Sequence, residues 1–217
     1  MKYLGMIPAR GGSKRVSRKN IRSILGKPLI WWSIEAAQQS KKLDKFIVST
    51  EDDAIKDVCD QYNVPVLKRP KELAGDLVPL TLVMKHTLEN IPADNIVVLR
   101  PTSPIRINSI IDKAIEKYEE MHGDSLMTGF MNKEYEWFTH PDAPSQKLKG
   151  WFQGDGCVEI HNKEVILNDK SWGKNPIKYD IPDIYNHEID KELDIVIIEA
   201  IMQSIKIPRG ENYESVS

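Results

Sequence analysis

A doubly wound α/β domain built on a mostly parallel sheet is what this chain predicts, and three observations carry that expectation. Short apolar runs alternate with amphipathic stretches of helical period from residue 3 to about residue 130. The apolar runs are continuous rather than alternating, as expected of strands covered on both faces. A length of 217 residues suits one such domain with its own core.

The elements follow in order. YLGMIPA is a first buried strand that ends at Gly/Arg punctuation. KPLIWWSIEAAQQSKK has helical spacing, with Pro28 suited to a first turn. KFIVST is the second strand, and EDDAIKDVCDQYN a helix whose three leading acids favour the positive end of its dipole. VPVLKR is a strand, LTLVMKHTLEN a helix, NIVVLR a strand, INSIIDKAIEKYEEMH a long helix and SLMTGF a strand. The pattern then breaks. Residues 131–156 are polar, aromatic and proline-bearing, and read as a β-containing excursion or interaction flap. CVEIHNKEVILN reads as a hairpin, ELDIVIIEAIMQSI as a last helix, and the tail PRGENYESVS as loose.

Charge and composition narrow the function. The formal net charge is −2, so the cations at Arg10, Lys14, Arg15, Arg18, Lys19 and Arg22 are a local feature. A nucleic-acid binder is expected to show a larger excess, with aromatics between its basic residues. No apolar run approaches the ~18 residues of a membrane span, and the N-terminus does not read as a signal peptide. Cys59 and Cys157 form no CxxC pair and read as reduced thiols of a cytoplasmic protein.

The stretch IPARGGSKRVSRKN follows the first strand, at the carboxyl edge where ligands of such sheets sit. A glycine pair lets backbone N–H groups approach an anion, and the arginines and lysines then offset phosphate charge. The stretch thus suits a polyphosphate, although neither GxxxxGK[ST] nor GxGxxG is present. A solvated basic loop is the alternative.

With the blocks GKPLIWWSIEAA, IVSTEDDAI, RPKELAGD, LRPTSPIR and EID following in this order, the chain resembles the acylneuraminate cytidylyltransferase (CMP-sialic acid synthetase) family. The resemblance is strong over residues 1–130 and loose over 150–200. It implies a Rossmann-like nucleotidyltransferase fold, a homodimer with a contact excursion at about 130–156, and transfer of CMP from CTP to a sugar acid with Mg²⁺. Arg10, Ser13, Lys14, Lys19 and Asn20 match the family's triphosphate-binding positions, and Gly11 and Gly12 its glycine turn. Arg10 and Lys19 would offset charge on the leaving pyrophosphate. Arg15 and Arg18 read as bystanders.

Asp76 falls in a loop that lines the family's nucleotide site, or is a turn-former or cap. The serines usual after it are replaced by Leu77, Val78, Pro79 and Leu80, which leaves another base, such as guanine, open. The PTSP turn presents Thr102, Ser103 and Arg106 toward the acceptor. Arg100 replaces the family's glutamine and suits a carboxylate or phosphonate; a surface arginine paired to an acid is the alternative. Glu188 and Asp190 share one side of an extended segment and match the family's acidic metal pair, although Glu188 replaces an aspartate. Asp190 reads alternatively as a helix N-cap, and His187 beside it as a transition-metal ligand. Asp155 stands where asparagine is usual. Trp151 and Phe152 are core, interface or acceptor contacts, while His140 and His161 read as structural or exposed. The expected partners are CTP and an acidic small molecule, most simply a 2-keto-3-deoxy sugar acid. A phosphonate or other small anionic acceptor, and a non-catalytic nucleotide-binding protein of the same fold, remain alternatives.

Overall fold

A computed structural model describes residues 1–133 and 149–205. Its centre is a seven-stranded sheet in the order β5-β4-β1-β6-β8-β7-β9. The strands are β1 (Tyr3–Pro8), β4 (Lys45–Thr50), β5 (Val66–Lys68), β6 (Asn95–Val98), β7 (Ser125–Asn132), β8 (Trp151–Asn162) and β9 (Pro176–Asp180). Pairings are parallel except where β8 lies antiparallel between β6 and β7. A two-residue hairpin, β2 (Ser23–Ile24) with β3 (Lys27–Pro28), turns on Leu25 and Gly26 at φ 50° and 80°. Such a positive pair matches the twist of the flanking strands.

Successive side chains of the central strands feed two separate cores. Tyr3 and Ile7 of β1, with Val97, pack under α1 (Leu29–Gln39), α2 (Asp53–Gln61), α4 (Ile110–Glu120) and α6 (Glu192–Ser204). Leu4 and Met6, with Ile96 and Val98, pack under α3 (Leu80–Asn90) and α5 (Lys163–Leu167). Both faces are therefore covered, which is why these strands read as unbroken apolar runs. No helix among the described residues is long and apolar enough to cross a membrane.

Two expectations need correction. CVEIHNKEVILN is not a hairpin: it is the end of β8 followed by α5. The strand already has β6 and β7 on its two sides, so no edge is open for a second arm. Asn162 ends the strand by accepting the Glu164 amide at 2.9 Å, and Ile166 then turns into the second core. The expected excursion begins as a continuation of the sheet, because β7 and β8 stay paired out to Asn132 and Trp151. Residues 134–148, His140 among them, and the tail from 206 lie outside the described residues. Cys59 and Cys157 are buried and free, with burial pushing their thiols up to about 11 and about 12.

Candidate active site

The carboxyl ends of β1, β5 and β6 open into a cleft of about 690 Å³. One wall is the basic turn after β1. Asn20 fixes it by donating its side-chain amide to the Arg10 carbonyl at 2.8 Å. Gly11 is pressed so closely on the next loop that an added Cβ would lie 2.1 Å from Asp52 Oδ2. Its amide is taken by Glu51 at 2.8 Å, and neither Gly11 nor Gly12 lines the cleft. Gly11 thus lets two loops touch, while an added Cβ at Gly12 would meet nothing within 4 Å. Arg10, Ser13, Lys14, Lys19 and Asn20 do line it.

The cations of this wall are matched by carboxylates. Asp76 bridges Arg10 Nη1 at 2.9 Å and Lys14 Nζ at 2.5 Å. The Lys14 hydrogen bond, more than the charge of Arg10, holds the Asp76 carboxyl below its usual range. Arg15, expected to be a bystander, lines the cleft and lies 3.1 Å from Asp190. Arg18 turns away to Asp52.

The acidic pair is set by a clamp on one backbone unit. The Ile189 amide donates to Thr102 O at 2.8 Å, and its carbonyl accepts from Lys19 Nζ at 2.5 Å. Its side chain is buried in the core, so Glu188 and Asp190 on either side both enter the cleft. The cap of α6 belongs to Asp194, whose Oδ2 accepts the Asp190 and Lys191 amides at 2.7 Å each. The Asp190 side chain is thereby left to Arg15 and Lys19. Glu188 accepts from Ser103 at 3.1 Å. Burial pushes its carboxyl up; Arg100 opposes this and the charge of Asp190 adds to it.

These two carboxylates fit Mg²⁺. They are hard oxygen donors facing one cleft, and a divalent ion would relieve the repulsion between them. Mg²⁺ commonly takes one or two carboxylates and completes its shell with phosphate and water. No group of three or more His, Cys, Asp or Glu side chains is placed to hold a metal among the described residues, and His187 does not line the cleft.

The opposite wall follows β6. Arg100 and Thr102 line it, as expected. Arg106 and Ser103 do not. The Arg106 side chain is buried, and its guanidinium donates to the carbonyls of Cys157, Arg100 and Gly156 and to Ser33 Oγ. Ser103 Oγ is 2.8 Å from Asp155 O. Both tie the turn to β8. Asp155 is buried too, accepting from Thr128 Oγ1 at 2.7 Å and the Cys157 amide at 2.9 Å. Gly156 sits at φ 65°, and a Cβ there would lie 2.6 Å from Glu188 Oε1 and 2.8 Å from Arg100 Cδ. Only glycine leaves the cleft floor clear.

Sequence reading missed Arg69 and Glu51. Arg69 lines the cleft at the end of β5 and donates Nε and Nη2 to Glu51 Oε2 at 3.1 and 3.0 Å, while Glu51 Oε1 holds Gly11. One carboxylate thus joins three strand ends. The available signal was the position of both residues at the carboxyl ends of adjacent strands.

The cytidylyltransferase family model matches residues 4–145, more than half of the chain. A CMP-N,N'-diacetyllegionaminic acid synthase of Legionella pneumophila is 30% identical, over 94% of this chain and 97% of its own. An N-acylneuraminate cytidylyltransferase of Escherichia coli is 27% identical over 99% of this chain, which spans only 55% of that longer relative. A CMP:2-keto-3-deoxy-manno-octonic acid synthetase solved with CTP superposes with a TM-score of 0.75 at 14% identity, over 94% of this chain and 99% of its own; at that identity it shows the fold. On the family model and the Legionella relative, the chain belongs to the cytidylyltransferase family.

Proposed function

We propose that this protein joins CMP from CTP to an acidic acceptor, a 2-keto-3-deoxy sugar acid of the sialic, legionaminic or pseudaminic type or a Kdo relative, and releases pyrophosphate. The observation that carries this reading is one cleft with a cationic wall at Arg10, Lys14, Arg15 and Lys19, an acidic pair at Glu188 and Asp190, and a further cation at Arg100. A triphosphate, a phosphate-bound cation and an anionic acceptor need those three groups in that arrangement. The names of the relatives support CTP and a sugar acid as the substrates.

In this reading the triphosphate displaces Asp76 from Arg10 and Lys14, which then fix the β- and γ-phosphates. An acceptor hydroxyl attacks the α-phosphorus in line, the bond to the bridging oxygen breaks, and pyrophosphate leaves against Arg10 and Lys19. Glu188 and Asp190 would hold Mg²⁺, which lowers the pKa of the acceptor hydroxyl and screens phosphate charge. Lys19 also holds the Ile189 carbonyl, so it couples the cationic wall to the acidic pair. Arg100 takes the acceptor carboxylate.

Two further parts belong to the proposal. The protein acts in the cytoplasm, consistent with two free buried thiols. It works as a homodimer through the extension of β7 and β8, where Met131 and Trp151 are exposed. Pyrophosphate release tests the reaction, measured with Mg²⁺ and each of the four nucleoside triphosphates across a panel of sugar acids and phosphonates. Release with CTP and one sugar acid is expected. Release only with a phosphonate moves the acceptor, and tight CTP binding with no release from any pair favours the non-catalytic alternative.

A further inference from the structure

Arg100 stands across the cleft from the basic turn, and the structure shows what holds it. Its Nε is 2.5 Å from Oε1 of Glu159, whose side chain is only 4% exposed; the contact is a close ion pair, out of line for a hydrogen bond. The other carboxylate oxygen is 3.5 Å from Nε2 of His161. His161 is buried in turn, its ring packed on Trp172 at 5.1 Å between centroids. Glu159 and His161 are two residues apart on β8, so they project to the same face of the sheet. Among the described residues the Nη1 and Nη2 of Arg100 make no hydrogen bond or ion pair.

A carboxylate this deep is costly unless a cation faces it. Burial pushes Glu159 up, yet His161 and the charge of Arg100 together bring its carboxyl below the usual range. Of these two partners, Arg100 is the one that lines the cleft. Burying a charge on a strand carries a desolvation cost that an aliphatic side chain would not. What the charge does is fix one edge of a long, flexible side chain and leave its other donors outward.

We propose that Glu159, backed by His161, is a positioning residue for acceptor recognition: it pins the Nε edge of Arg100 and leaves the terminal nitrogens to take the acceptor carboxylate end-on. This rests on the acceptor reading given above. Two consequences follow. The ordering cost of Arg100 is met before the acceptor arrives, which favours a planar, bidentate carboxylate over a neutral sugar. The arginine's charge is also opposed in advance by the Glu159 carboxylate, so Arg100 competes less for the far more anionic triphosphate that shares the cleft.

The test is Glu159→Gln, with Glu159→Met as a variant of similar size that cannot accept a hydrogen bond. In both, the KM for the sugar acid should rise by about tenfold or more, as expected when the ion pair that holds the arginine in place is lost, while kcat and the KM for CTP stay within about twofold. A purely structural role would not split the two KM values in this way. Protein labelled with ¹⁵N-arginine supplies a readout independent of turnover. The Nε–H of Arg100 is buried beside Glu159; its signal, assigned by its loss in Arg100→Lys, should exchange faster with water in Glu159→Met, where the guanidinium is no longer held. Unchanged acceptor KM in both variants, with only a lower melting temperature, overturns the proposal. So does an Nε–H signal equally protected with and without Glu159. If the unaltered enzyme turns over no sugar acid, the acceptor reading fails, and the Nε–H signal still decides whether Glu159 holds Arg100.

Discussion

The two walls of the cleft are built on different physical terms. On the wall after β1, charges meet at the surface: Lys14 is 82% exposed and Asp76, which faces it, 35%. Exposed pairs of this kind contribute little and exchange partners readily. Behind the wall after β6, polar groups meet in the interior: Thr128 and Ser103 are buried and bonded to Asp155, and the buried Arg106 donates to the carbonyls of Cys157 and Arg100. Interactions there are dear to break because no water replaces a lost partner. The first wall suits a flexible triphosphate whose charge can displace Asp76. The second suits an acceptor that must be held in one orientation while its hydroxyl attacks.

The largest effect is expected where the walls meet. Asp190 takes charge from both Arg15 and Lys19 yet remains partly exposed. Asp190→Asn should cut turnover by about 10²-fold or more, as loss of a group acting on transition-state charge does, with an unchanged melting temperature. Near-normal turnover would remove Asp190 from the chemistry. Next comes Arg106. Arg106→Met removes the guanidinium donors to the Gly156 and Cys157 carbonyls in the interior and leaves the Arg100 carbonyl to the Ser103 amide. A loss of about 3 kcal/mol in urea unfolding is expected from unsatisfied buried acceptors of this kind. A loss no larger than that of an exposed arginine would mean the buried wall is not the rigid one.

The sequence made the first wall legible and much of the second illegible, for a physical reason. A cluster of cations beside glycines after a strand announces its chemistry locally, and most of that turn lines the cleft. Arg106 sits in an equally recognisable turn, but motif position says nothing of which way a side chain is driven; three carbonyls of β8 and its neighbours draw it inward. Arg15 was passed over because its partner is Asp190, remote in sequence. Glu51 looked like one more acid at a helix start, whereas of those three acids Asp52 caps α2 and Glu51 holds Gly11 and Arg69. The alternation of strand and helix fixed the sheet, since it depends on burial summed over whole segments. The hairpin expected after Cys157 failed because strand order, not local pattern, decides whether an edge is free.

Asp155 offers a gentler test of the buried wall. Burial pushes its carboxyl up against the opposing hydrogen bonds of Thr128 and the Cys157 amide, and its Oδ2 has no hydrogen-bond partner. A carboxylate raised on folding favours the native state below its unfolded pKa and loses that contribution as pH rises through its folded value. Asp155→Asn keeps the accepting oxygen and removes the charge. It should stabilise the protein at neutral pH, with the gain fading as the pH falls through the raised folded value and gone by the ordinary aspartate value of about 4. A gain that does not vary with pH would show that the charge of Asp155 is not what matters.

The smallest effect belongs to the exposed wall, and its sign is the informative part. If Asp76 only keeps company with Arg10 and Lys14 until phosphate arrives, Asp76→Asn removes a competitor. The KM for CTP should then fall by about two- to threefold at low salt, as expected for an exposed ion pair, with kcat unchanged. The difference should close as ionic strength approaches 1 M, where the screening length is only about 3 Å. A rise in KM instead would mean that the carboxylate itself touches the nucleotide. Asp76 would then belong with the fixed, specific contacts of the opposite wall, and the contrast between an exchangeable and a preorganised side of the cleft would have to be redrawn at this residue.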